Sequence, residues 1–108
     1  MKRPSKLKDI LAVVRAAVVR AAVESGQLVY SDHANSRMSV REIIKPEIEH
    51  VLKSGFHEAK KDQFSSAFEA WDYAIRGKTV DGRALRIVVA MVQPRVLVVT
   101  AIDLDKED

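Results

Sequence analysis

The chain has 108 residues and no cysteine, with 47% hydrophobic and 31% charged residues. That length supports one domain with a real core but not two, and the missing thiols exclude disulfides and thiolate chemistry. A net charge of +3 favours an anionic partner without naming it, and no apolar run is long enough to span a membrane.

The basic start, MKRPSKLKD, is followed by an apolar run that Arg15 and Arg20 interrupt, with no cleavage pattern around Glu24-Ser25-Gly26. A cytoplasmic protein is therefore expected rather than a secreted one. Ser5 reads as an N-cap, residues 6–25 as a helix of good helix formers, and Gly26 as its C′ residue. Leu7, Ile10, Leu11, Val14, Val18 and Ala21 form one apolar stripe, and Val13, Val19 and Val23 widen it. A helix apolar on more than one side either lies across the sheet beneath another element or joins a second copy in a homodimer.

Gln27-Leu28-Val29-Tyr30 suits a short strand, and Ser31 caps a turn of helix, SDHANSRM, that sets His33 and Arg37 at i, i+4 on one face. Ser39-x-x-Glu42 has the form of a capping box for the next helix. Pro46 cannot take an interior helical position, so a break is expected at Lys45-Pro46, with Pro46 restarting as a first-turn residue. Ile44, Ile48, Val51 and Leu52 make the buried stripe, and Gly55 ends it. Residues 56–61 suit a strand, and DQFSSAFEA reads as a mobile polar loop.

From Trp71 to Ile102 the sequence reads as a three-stranded meander. Asp81-Gly82 is a strong hairpin signal, because glycine supplies φ > 0 without steric cost. Gln93-Pro94 marks the second turn, since proline cannot donate to a ladder. A two-residue loop at Asp81-Gly82 would place Leu85, Ile87, Val89, Met91, Val96, Val98 and Ile102 on a core face. Trp71, Tyr73, Ile75, Gly77, Thr79, Arg86, Val88, Leu97 and Val99 would share the other. Arg76 and Lys78 would then lie across the sheet from Arg86, and a single bulge would swap the later assignments.

These features, taken together, resemble a known family. His33-Ala34-x-x-Arg37-Met38, a helix ending in Gly55, then Tyr73…Gly77-Lys78-Thr79-x-Asp81-Gly82-Arg83-x-Leu85-Arg86-Ile87-Val88-Val89 and Val98-Val99-Thr100-Ala101 resemble the bacterial domain of unknown function 4258. That family is usually grouped with the RelE-like toxins of toxin–antitoxin modules. The likeness runs from about Gln27 to Ile102. Ser25-Gly26-Gln27, Trp71 and Ala84-Leu85-Arg86-Ile87 are also similar to the MqsR branch. The resemblance implies an α+β fold in which N-terminal helices pack on a small antiparallel β-sheet ending in a three-stranded meander. One domain would fill residues 1–108, with an N-terminal helix (1–26), a family-like core (27–102) and an acidic tail (103–108). It also implies a toxin-like mRNA endoribonuclease, metal-independent and without cofactor, held in check by a cognate antitoxin protein. Arg86 matches a strand position at which the MqsR branch carries a basic residue near its active site.

Metal-free RNA cleavage needs a base for the ribose 2′-OH, a cation for the phosphorane and an acid for the leaving oxygen. Arg86 suits the second task, since a guanidinium fits phosphate geometry. The bland alternative is a salt bridge to a helix carboxylate such as Glu47 or Glu49. A histidine side chain is suited to proton transfer at physiological pH, so His33 is a candidate acid or base, or else a helix-start hydrogen bonder. Tyr73 either donates to an oxyanion or fills the core. Arg37 would hold phosphate or anchor its helix; Arg76 and Lys78 would bind substrate or sit solvated at the strand end. Arg41, Lys53, Lys60 and Lys61 read as solvated cations that could guide RNA. His50 and His57 lack a metal-ligand spacing. The other function class is a non-catalytic RNA- or protein-binding module of the same fold.

Overall fold

A computed structural model describes residues 12–15, 28–66, 69–92 and 95–106. The proposed Ser5 cap, the Gly26 helix end, most of the N-terminal stripe, the dimer it would form and the Gln93-Pro94 turn lie outside the described residues. Residues 12–15 are helical, with Val14 fully buried and Val13 at 38% exposure.

The architecture is α+β. Strand β1 (Leu28–Tyr30) leads into helix α1 (Asp32–Val40), then α2 (Lys45–Ser54), β2 (Phe56–His57), a 3-10 turn (Ala59–Lys61) and β3 (Gln63–Ser65). Three nine-residue strands follow: β4 (Ala70–Lys78), β5 (Ala84–Val92) and β6 (Arg95–Asp103). The sheet order is β1-β6-β5-β4-β2, with β3 also on β4. β1 runs parallel to β6, so the sheet is mixed rather than purely antiparallel.

Local chemistry sets the helix bounds. The Ser31 hydroxyl accepts from Ala34 N and starts α1 as expected. Ser39 lies inside α1 and opens no helix; the chain turns at Glu42, whose φ is 54°. Helix α2 begins instead at Lys45-Pro46, where proline's missing N–H costs nothing, and Glu47 Oε1 accepts from Ile44 N at 3.1 Å. Ile48, Val51 and Leu52 are buried as read, but Ile43 takes the core place assigned to Ile44, which stands 59% exposed. The polar stretch after Lys61 is no simple loop, because Gln63–Ser65 pairs with β4.

The meander is present, but its register differs by one residue from the two-residue reading. Arg76 opposes Arg86, Ile75 opposes Ile87 and Tyr73 opposes Val89. Thr79 N donates to Arg83 O and Gly82 N to Thr79 O, leaving Val80-Asp81-Gly82 as a three-residue loop with Gly82 at φ 89°. The Thr79 hydroxyl donates to Asp81 and accepts from Arg83 N, which fixes this longer turn. Trp71, Tyr73, Ile75 and Gly77 therefore move to the core face beside Leu85, Ile87 and Val89. Between Val88 and Val89 the pairing with β6 slips, Val88 meeting Thr100 and Val89 meeting Val98. Val99 is the extra residue, so Val96, Val98, Ala101 and Asp103 turn to the core and Ile102 turns away.

Both helices lie on this core face, α1 through Ala34 and Met38, α2 through Ile48, Val51 and Leu52. The end of α2 reaches β4 at a glycine pair. A Cβ on Gly55 would stand 2.5 Å from Arg76 O and 2.6 Å from Val51 O, and one on Gly77 would meet Gly55 Cα at 3.0 Å. Gly55→Ala is expected to lower Tm by roughly 10 °C, because backbone oxygens cannot yield to an added methyl. Thermal unfolding followed by circular dichroism checks this.

Candidate functional site

The face of the sheet away from the helices carries Asp72, Ala74, Arg76 and Lys78 on β4. Beside them stand Ala84, Arg86, Val88, Ala90 and Val92 on β5, then Arg95, Leu97, Thr100 and Ile102 on β6. Most of these residues are half-buried or exposed. Among the described residues, the element reaching over this face is the segment after β2, which brings in Glu58.

Glu58 is 7% exposed and holds two guanidiniums. Arg86 Nε donates to Glu58 Oε1 at 2.7 Å and Nη2 to Oε2 at 3.3 Å; Arg76 Nη1 donates to Oε2 at 3.4 Å. The Arg86 hydrogen bond is the main reason that the Glu58 carboxyl lies below its ordinary pKa. Burial opposes it, while the charge of Arg86 and the bond and charge of Arg76 add to it. Glu58 N donates to Ala74 O at 2.8 Å, so the backbone beneath this carboxylate is pinned to β4. A guanidinium carries five N–H donors, so each arginine keeps donors that Glu58 does not occupy.

A second anchor lies just along the chain. His57 Nε2 and Asp62 Oδ2 are 2.8 Å apart, and Asp62 Oδ1 accepts from Ala74 N. The His57 ring meets Tyr73 edge-on at 5.8 Å. Asp62 supplies an acceptor where β4 leaves an edge N–H between β2 and β3. This tie holds the turn carrying Glu58 against the sheet.

The structure brings Arg76 and Arg86 together as a directly opposed pair. It does not assemble His33, Tyr73 and Arg86. Tyr73 is 3% exposed and faces the helices, on the side of the sheet opposite Arg86, because the hairpin loop holds three residues rather than two. His33 and Arg37 are exposed on α1, which packs on the core face. Lys78 is exposed at the end of β4, on the same face as Arg86, not the opposite one. Arg86 does form a salt bridge, but to Glu58; Glu47 and Glu49 belong to a helix across the sheet. Arg41 is not simply solvated, since it donates to Ala101 O at 2.7 Å. Tyr30 lies against the core with Lys45 Nζ 4.9 Å above its ring, and Trp71 meets Phe64.

Glu58 is the residue that sequence reading missed. Nothing in Gly55-Phe56-His57-Glu58 marks its glutamate as buried, although an arginine inside an apolar strand does signal that a carboxylate must be close. Among the described residues, no group of three or more His, Asp or Glu is placed to hold a metal ion. No helix among them is long and apolar enough to cross a membrane.

A family model described as domain of unknown function (DUF4258) matches residues 30–103. The chain belongs to this family. The matched span in DUF4258 terms begins at Tyr30, runs through both helices and ends at Asp103, so it contains Glu58, Arg76 and Arg86. No curated protein and no solved structure matches the chain.

Acid should probe the Glu58 cluster directly. Its carboxyl is held below the value of about 4.3 expected in the unfolded chain, so its stabilisation is complete above that value. The stabilisation is lost as pH falls through the depressed folded value. Glu58→Gln is expected to destabilise the protein at neutral pH and to flatten the fall in stability below about pH 5. Urea unfolding across that pH range reads both effects.

Proposed function

We propose that this DUF4258 protein is a RelE-like cytoplasmic module that binds RNA on the open face of its sheet. One observation carries the reading: two guanidiniums opposed on that face, oriented by one carboxylate that leaves part of each donor set free. Arg76 is 44% exposed at its side chain and can meet a phosphate without rearrangement. Lys78 and Arg95 add positive charge on the same face, and Lys60 and Lys61 are exposed beside Glu58 in the chain. Such an interface should lose affinity steeply with salt, because each neutralised phosphate releases counterions. Fluorescence anisotropy with a short RNA between roughly 50 and 200 mM salt tests it. A salt-independent signal, or none, would count against the proposal.

A second reading, the toxin-like metal-independent endoribonuclease with a cognate antitoxin, is favoured by Glu58 itself. An ionised carboxylate between two guanidiniums supplies a base and a phosphate-stabilising cation. Glu58 would take the 2′-OH proton, the 2′-oxygen would attack phosphorus, and the 5′-oxygen would leave with a proton. Asp72, whose carboxyl is pushed up by burial, stands on the same face as a candidate donor of that proton. His33 and Tyr73 hold no role in this version. RNA incubated with chelator should yield a 2′,3′-cyclic phosphate end, and induced expression should arrest growth unless Glu58 is replaced by Gln. Intact RNA and unimpaired growth leave binding as the function.

A further inference from the structure

We infer that Phe56 is a stacking platform for a nucleobase, which makes the ligand of the open face single-stranded rather than duplex RNA. This inference rests on the RNA-binding reading of that face. Phe56 opposes Arg76 across β2 and β4, and Arg76 opposes Arg86 across β4 and β5. Directly opposed residues project to one side, so an aromatic ring and two guanidiniums stand in a row over three neighbouring strands. Strands lie about 4.8 Å apart, so the row spans about 10 Å from Phe56 to Arg86 at the backbone.

The ring is 56% exposed, an uncommon state for a phenylalanine inside a strand. Its backbone is nonetheless fixed on every side. Gly55 N closes on Val51 O at 2.7 Å, the ladder pairs Phe56 with Arg76, and Glu58 N donates to Ala74 O. The Gly55–Gly77 approach locks the end of α2 against the same strand. An exposed ring on a rigid backbone pays little ordering cost when a flat partner arrives. Phe64, the other exposed phenylalanine among the described residues, is already met edge-on by Trp71.

A base, unlike a paired duplex, presents an open π-face. A-form duplex RNA hides its base faces in the stack, whereas single strands splay bases onto aromatic side chains while phosphates meet nearby cations. Arg76 is the cation beside Phe56, and Arg86 the next along the row. The geometry thus gives one base and its neighbouring phosphates adjoining places.

The test uses the whole chain and three probes of equal length: single-stranded RNA, the same strand without bases, and its duplex. Wild type, Phe56→Ala and Phe56→Trp are compared by anisotropy, with circular dichroism confirming that each folds. Wild type should prefer the single strand to the duplex. Phe56→Ala should weaken single-strand binding about tenfold or more and leave the abasic strand unchanged. Phe56→Trp should restore the single strand. If wild type binds the abasic strand and Phe56→Ala binds all three probes as wild type does, the stacking platform is overturned while the RNA face stands. If wild type binds no probe, the RNA face itself is overturned. A Phe56→Ala protein that loses all three probes alike contradicts stacking, because a base contact cannot matter to a strand without bases.

Discussion

Arg83→Ala is expected to cost about 3 kcal/mol of stability, the scale on which removing one partner of a buried ion pair acts. Arg83 Nη2 donates to Arg41 O at 2.8 Å and to Asp103 Oδ2 at 3.0 Å, and Nη1 donates to Glu42 O at 3.0 Å. One side chain therefore ties the β4–β5 hairpin to the α1–α2 connection and to the end of β6. Asp103 is 1% exposed, so losing Arg83 leaves a buried carboxylate without this cation. Burial pushes the Asp103 carboxyl up, but the Arg83 hydrogen bond, the Asp105 N–H and the Arg83 charge together hold it below its usual value. In the Arg83→Ala background, Asp103→Asn should cost less than it does in the wild type, by more than about 1 kcal/mol. Urea midpoints for the four proteins of this cycle check it. Additive effects would mean that the two groups do not act as a pair.

The second large effect concerns the open face. Arg76→Ala should weaken RNA binding about fivefold to tenfold and lower the slope of affinity against salt by about one ion. Its side chain is nearly half exposed and makes one long bond to Glu58, so the fold should survive the change. Arg86→Lys should weaken binding further, because an ammonium cannot hold Glu58 through two nitrogens and offer others to phosphate. His33→Ala and Arg37→Ala, on the far side of the sheet, should leave affinity within about twofold. An equal loss from His33→Ala and Arg76→Ala would place the ligand elsewhere.

Several features of this fold were legible from residue type and spacing. Ser31 announces α1 because its hydroxyl satisfies an orphan N–H, and Pro46 announces α2 because it lacks one. Val and Ile runs on each side of Asp81-Gly82 announce the meander. What could not be read was parity. A loop of two residues and one of three carry the same Asp-Gly signal, and the choice rests on hydrogen bonds made by Thr79. That single residue moves Tyr73 from the face of Arg86 into the core, and with it the expected site. The bulge at Val99 reverses β6 in the same way, since an extra residue leaves no mark in an unbroken apolar run. Arg86 was legible as an arginine needing a partner; Glu58 was not, because its burial follows from β2 and β3 wrapping the edge of β4.

The sharpest test follows backbone amides and arginine side-chain Nε–H groups by ¹H–¹⁵N NMR as single-stranded RNA is added. Shifts should gather at Phe56, Glu58, Arg76 and Arg86 and along the outward positions of β5, with α1 nearly silent. Shifts confined to His33, Arg37 and their helix, with Arg76 and Arg86 unmoved, would contradict RNA binding on the open sheet.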